Sequence, residues 1–221
     1  MGPQDETTLA SRPALARFDV ITPDTPLVLG SASPRRHEIL TGLGLPLVVI
    51  PAMAEEAPHH GESPAAYLGR VVDAKLAAVA SRLVGRRCGA VLVADTIVVV
   101  GDEVLGKPAS VAEAERLLAM LAGRTHTVLT RYGLAGPDRP AVPKVSRTVS
   151  SQVTMRSATH DEIARYARTG EGLDKAGGYA IQGIGSFLVK QIEGSCSNVV
   201  GLPACEVVLD LRDAGLLGAF P

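Results

Sequence analysis

Apolar and polar positions follow two periods along this chain. Leu27–Leu29 and residues 47–50 are short runs of Leu, Val and Ile, and residues 91–100, "VLVADTIVVV", form a longer one. Runs of this kind predict strands. Residues 34–42 carry a helical pattern closed by Gly42 and Gly44. From Pro64 onward, Leu68, Val71, Val72, Leu76 and Val79 fall on one helical stripe, with Ser63 as N-cap. Gly101-Asp102 turns the long strand into a short one near Val104-Leu105. Ser110-x-x-Glu113 and Thr159-x-x-Glu162 read as capping boxes, opening helices that stop before Gly123 and at Gly170. Further strands are predicted near 125–135, 145–155 and 186–192, with a last helix from Pro203. Strands alternating with helices predict an α/β fold. No repeat or low-complexity linker divides the chain, so residues 26–221 are expected to form one domain after a loosely ordered extension over residues 1–25.

Composition narrows the function classes. With no Trp and only three Phe and four Tyr in 221 residues, the core must be aliphatic. A formal net charge of −1 gives no general affinity for nucleic-acid polymer or for an anionic membrane, so any anion site must be a local cluster of positive charge. Cys88, Cys196 and Cys205 are odd in number and lack CxxC spacing, which argues against a disulfide framework or zinc site and for the cytoplasm. His59-His60 reads as a solvated loop. No run approaches the eighteen or so apolar residues of a membrane span, and no signal peptide is evident.

Four cations and two acids carry the candidate chemistry. In "LGSASPRRHEIL" a strand ends in small residues, Ser33 is placed to cap a helix beginning at Pro34, and Arg35 and Arg36 lie in its first turn. Helix N-termini expose free N–H groups, and guanidinium groups match phosphate oxygens, so the stretch reads either as a phosphate cradle or as a well-capped helix with solvated arginines. Lys75 falls inside the apolar stripe of the helix from Pro64, where it must snorkel or meet an anion. Asp95 interrupts the most apolar run of the chain. A carboxylate there needs a cation, a metal or hydrogen-bond donors, and acids that hold Mg²⁺ for phosphate chemistry have this character; a solvated strand face or bulge is the alternative. Lys107, in a tight turn, and Glu56, in a polar loop beside Glu55, complete the set.

Two nucleotide-binding signatures are excluded. Gly101-x4-Gly106-Lys107 nearly spells a P-loop, but Pro108 stands where Ser or Thr must reach Mg²⁺. The glycines of "DKAGGYAIQGIG" have the wrong spacing for a dinucleotide fingerprint and precede a strand. They suit tight turns near a ligand instead, and Gln182 among them offers both a donor and an acceptor, as a base reader needs.

Taken together, "SASPRRHEIL", "EE" before a Ser-Pro helix with "DAK", "ADTIVVVGDEVLGKP", "GEGLDKAGGYAIQGIG" and "GSCSNVVGLP" resemble the Maf (septum formation) family of nucleoside triphosphate pyrophosphatases. The resemblance implies an elongated mixed β-sheet flanked by helices, in two lobes with an active-site cleft between them, as in inosine triphosphatase-like folds. It implies hydrolysis of a nucleoside triphosphate to the monophosphate and pyrophosphate with a divalent cation, Mg²⁺ foremost and Mn²⁺ or Co²⁺ as substitutes. By motif, Asp95 corresponds to the proton acceptor, and Glu56, with Asp95, to the metal-associated acids. Ser33, Arg35 and Arg36 correspond to the phosphate turn, and Lys75 and Lys107 to the phosphate-facing lysines. Arg35, Thr96 and Gln182 resemble the dTTP/UTP type rather than the sister group acting on 7-methyl-GTP. The family also suggests a homodimer, a house-cleaning role toward modified pyrimidine nucleotides, a link to septum formation and, as alternatives, a nucleotide-binding regulator of cell division with little catalysis or a 7-methyl-GTP-type pyrophosphatase.

Overall fold

The computed structural model describes residues 21–221. Most of the expected N-terminal extension, residues 1–20, lies outside the described residues. Its end is packed: Ile21 is buried and donates its amide to the Leu216 carbonyl at 3.2 Å, so the packed chain starts before residue 26.

The strands are β1 (Leu27–Leu29), β2 (Leu47–Val49), β3 (Ala90–Val100), β4 (Glu103–Leu105), β5 (Thr125–Ala135), β6 (Val145–Met155) and β7 (Val189–Glu193). The helices are α1 (Pro34–Gly42), α2 (Pro64–Ser81), α3 (Val111–Leu121), α4 (His160–Arg168), α5 (Cys196–Val200) and α6 (Ala204–Asp213). One mixed sheet runs β2-β1-β3-β5-β6-β7, with β4 paired to β3. β1 is parallel to β2 and β3, and the remaining pairs are antiparallel.

The pleat of β3 sorts the core. Ala90, Leu92 and Ala94 pack with Leu27, Leu29, Leu40 of α1 and Val207 and Leu211 of α6. Val91 and Val93, on the opposite face, pack with Val28 and with Val72, Leu76 and Val79 of α2. Farther along, Val98 and Val100 join a third cluster with Val128, Val153, Leu117 and Leu118 of α3 and Ile163 of α4. The whole predicted stripe of α2 is buried, worth about 1.5–3 kcal/mol for each fully buried aliphatic side chain. Between the apolar masses at the two ends of β3 stand Asp95 and Thr96.

Three local expectations need correction. The strand expected over 186–192 begins only at Val189, because residues 183–188 form 3₁₀ turns whose Ile184 and Gly185 amides are taken by the Glu171 carboxylate and cannot join a ladder. α5 was not predicted; Ser195 caps it by accepting from the Asn198 amide, and Gly201 ends it. Thr159 and Glu162 form the full reciprocal box, but Glu113 accepts from the Ala109 amide instead of that of Ser110, so only half a box opens α3.

Candidate active site

The site occupies a gap beside β3. β5 covers one edge of β3 from Val91 to Val99. On the other edge β1 pairs only as far as Leu92, and β4 begins at Val98. β1 cannot continue, because the chain turns at Gly30 to start α1. Gly30 donates to the Leu92 carbonyl at 2.8 Å, and a Cβ on it would stand 2.6 Å from methyls of Val79 and Val93, so only glycine lets the strands close so tightly there. Two residues on, the Ala94 carbonyl has no strand opposite it, and a cavity of ≈330 Å³ opens.

Arg36 fills the inner end of this gap. It is 8% exposed, and its guanidinium donates to the carbonyl of Gly201 (2.8 Å) and of Ala94 (2.9 Å), to Ser31 Oγ (3.0 Å) and to Thr96 Oγ1 (3.0 Å). Burial pulls its pKa down, against the opposing pull of the Asp95 and Glu56 charges. The planar fork thus ties the β1–α1 turn, β3 and the end of α5 together at one point. Most of its donors are committed to protein, so it shapes the wall and holds positive charge there.

Lys75 reaches the same gap from α2. Its ammonium lies 2.7 Å from Asp95 Oδ1 and 2.8 Å from Glu56 Oε1, and donates to the Ala94 carbonyl at 3.4 Å. Asp95 follows Val91 and Val93 on the face toward α2, while Thr96 points to the other face. Of the two loop glutamates, Glu56 is the one that pairs with Lys75. Partial burial works against its charge, but the Lys75 hydrogen bond and the charges of Lys75, Lys107 and Arg36 prevail and hold its carboxyl below the usual range.

The outer wall carries the other predicted residues. Arg35 donates to Asp174 Oδ2 at 2.8 Å, and Lys175 pairs with Asp174 Oδ1 at 2.6 Å; against the cost of burial these two cations hold the Asp174 pKa down to about 2. Lys107 lines the cavity and has no hydrogen-bond or ion-pair partner among the described residues. Gln182 also lines the cavity, its amide without an intramolecular partner among those residues. Ser33 stands at the N-cap of α1, yet its side chain makes no capping bond, contrary to expectation. Among the described residues His37 is the first α1 amide with a backbone acceptor, and the amides of Arg35 and Arg36, at the cavity wall, have none. The Thr96 hydroxyl accepts from Arg36 and pairs with Thr130 Oγ1 at 2.8 Å, while Thr130 donates to the Asn198 carbonyl at 3.1 Å.

Several members of this arrangement were not singled out from sequence: Ser31, Asp174, Lys175, Thr130, Asn198 and Gly201. The pattern that could have flagged Asn198 is Ser195-x-x-Asn198 before a glycine, a short capped helix. Asn198 is fully buried and donates to the Val128 carbonyl (3.2 Å) and Ser151 Oγ (3.0 Å), which anchors α5 under the Gly201 carbonyl.

The donor set can be weighed against a divalent metal. Glu56 and Asp95 are hard oxygen donors that converge on one ammonium, and Glu56 is held in its charged form. No group of three or more His, Cys, Asp or Glu that could hold a metal occurs among the described residues. Two carboxylates without an all-protein cage fit Mg²⁺ sharing its shell with phosphate oxygens and water, and do not fit a structural metal. The His59-His60 pair is exposed, the three cysteines are free, and no helix among the described residues is long and apolar enough to cross a membrane.

Comparison with known proteins places the chain in a family. Residues 26–214 match the family model described as Maf-like protein. A dTTP/UTP pyrophosphatase of Myxococcus xanthus is 49% identical over 192 residues, covering 87% of this chain and 94% of that protein. A dTTP/UTP pyrophosphatase of Moorella thermoacetica is 49% identical over 181 residues, covering 82% and 91%. One from Nitratidesulfovibrio vulgaris is 43% identical over 195 residues, covering 87% and 89%. A match spanning the sheet, the cavity and every motif around it means that the chain belongs to the Maf family.

Proposed function

We propose that this protein hydrolyses dTTP and UTP to the nucleoside monophosphate and pyrophosphate. The observation that carries the reading is the convergence of Arg35, Arg36, Lys75 and Lys107 with Asp95 on one cavity of the size a nucleotide needs. The names of the relatives support it. A cytoplasmic setting, where such nucleotides occur, belongs to the same reading.

Charge assigns the roles. The triphosphate tail lies against the unpaired amides of α1, the Ser33 hydroxyl, Lys107 and the guanidinium wall, which oppose the charge that develops on the leaving pyrophosphate. Water attacks the α-phosphorus. The bond from that phosphorus to the α–β bridging oxygen breaks, and its electron pair leaves with pyrophosphate. Asp95 takes the proton of the water. Lys75 holds Oδ1 of Asp95, which leaves Oδ2 as the oxygen that receives it. Glu56 would hold Mg²⁺ beside Asp95, which keeps Oδ2 for the proton; the metal, when bound, would offset phosphate charge and acidify water. Gln182 reads the N3–H and O4 edge of uracil or thymine, because its amide is uncommitted. Thr96 acts through Arg36, since its hydroxyl is engaged there.

Incubation with UTP and Mg²⁺ tests the reading. UMP and pyrophosphate should form in equal amounts and cease to form when the metal is chelated. CTP and 7-methyl-GTP should be poorer substrates. UTP that binds but persists would leave a nucleotide-binding regulator in place of an enzyme.

A further inference from the structure

The loop bearing Gln182 is held from both sides by two side chains that the reaction itself does not need. Residues 180–185 have no strand partner among the described residues, and Gln182 is exposed at the cavity. Two residues before it, the Ala180 amide donates to the Tyr166 hydroxyl at 3.0 Å. Two residues after it, the Ile184 amide donates to Glu171 Oε1 at 2.9 Å, and the next amide, of Gly185, donates to Oε2 at 2.7 Å. Tyr166 joins the two grips by donating its own proton to Glu171 Oε2 at 2.9 Å.

The fit at this clamp is close. Gly183, next to Gln182, has φ +66°, and a Cβ there would stand 2.2 Å from Glu171 Oε1. Tyr166 is 2% exposed, so its hydroxyl cannot swing to water. A carboxylate accepting two successive amides forms charge-assisted bonds, stronger than neutral ones. Burial opposes the charge of Glu171, but the amides of Gly185 and Ile184 and the Tyr166 hydroxyl keep its carboxyl below the ordinary range, so the clamp is ionised at neutral pH.

We propose that Glu171, together with Tyr166, is a specificity-determining positioning residue: the pair fixes the backbone on either side of Gln182 so that its amide meets a uracil or thymine edge in register. The inference rests on the base-reading role of Gln182 given above. A reading group discriminates only when its atoms are held within a fraction of an ångström, and an isolated loop cannot supply that. The phosphate half of the site lies on other elements, α1, α2, β3 and the turn after β4 that bears Lys107, so loosening the clamp should spare it.

The test compares kcat/KM for UTP and for CTP, whose ring presents an acceptor at N3 and an amino donor at C4. In Glu171→Gln the amide can accept only one of the two backbone protons and turns its own NH₂ toward the other. We expect the UTP-to-CTP ratio to fall by about tenfold or more, the size of one mispaired buried hydrogen bond, with the loss falling on UTP. Inhibition by inorganic pyrophosphate should stay within about twofold of wild type. Tyr166→Phe, which removes only an oxygen, should lower the ratio in the same direction and carries the test if Glu171→Gln fails to fold. Folded variants that lose activity equally toward UTP and CTP, or keep the wild-type ratio, overturn the proposal when Gln182→Ala collapses it. If Gln182→Ala itself keeps the ratio, the base-reading role is overturned and this inference with it.

Discussion

The Lys75 ammonium stands 2.7 Å from Asp95 Oδ1, and both side chains are buried, one from a helix and one from the middle of a sheet. Each is the reason the other is tolerated. A buried lysine or aspartate without its partner would carry an uncompensated charge. Replacing Lys75 with Met should therefore destabilise the protein by about 3–5 kcal/mol and abolish turnover together, because Asp95 and Glu56 lose the cation between them. Urea unfolding beside a UTP assay reads both effects; unchanged stability would mean that the pair is not buried as described.

Asp95→Asn separates chemistry from folding. Lys75 retains Glu56 and the Ala94 carbonyl as partners, so the variant should fold. It lacks the proton acceptor, and turnover of UTP should drop by about 10²–10⁴. Pyrophosphate release measured on folded protein checks this, and near-normal turnover would remove Asp95 from the mechanism.

His126 makes stability depend on pH. It is buried, donates to or accepts from the Tyr179 hydroxyl at 2.6 Å, and burial lowers its pKa from 6.5 to about 4. The unfolded chain therefore binds a proton that the native state refuses between those values. The stabilisation is complete above the unfolded pKa and is lost as pH falls toward 4. From pH 7 to 5.5 this single group should remove about 1 kcal/mol of stability. In His126→Gln, where an amide can still meet the Tyr179 hydroxyl without titrating, urea unfolding should show that loss gone from the same interval.

Gly30→Ala tests the close approach at the head of the site. The new methyl has no room against Val79 and Val93, and overpacking of this kind costs about 1–3 kcal/mol. Because Gly30 leads directly into the α1 turn, KM for UTP should rise as well. A variant with wild-type melting temperature and KM would show that the turn is more tolerant than the contact distances indicate.

The elements were largely legible in the chain. The α2 stripe, the capped start of α4 and the glycine stops are local signals, set by helical period, a side-chain cap or a positive φ. Asp95 and Lys75 also stood out, because a charge within an apolar run violates its own surroundings. What escaped were residues whose importance is purely a matter of who meets them. Asp174 is an ordinary loop acid until Arg35 reaches it, and Asn198 is an ordinary polar residue until it is sealed under β5.

By itself the sequence determined the order and type of most elements and the identity of the charges that need an explanation, because propensity, capping and periodicity act over a few neighbouring residues. Tertiary structure alone decided how those charges are used. It placed Lys75 between Glu56 and Asp95, turned the Arg36 fork inward to Gly201 and Ala94, and left Lys107 and Gln182 at the cavity with no partner among the described residues. The physical reason is that hydrogen bonds and ion pairs form at about 3 Å between groups far apart in the chain. Where β1 stops and β4 begins sets which of those groups share one gap.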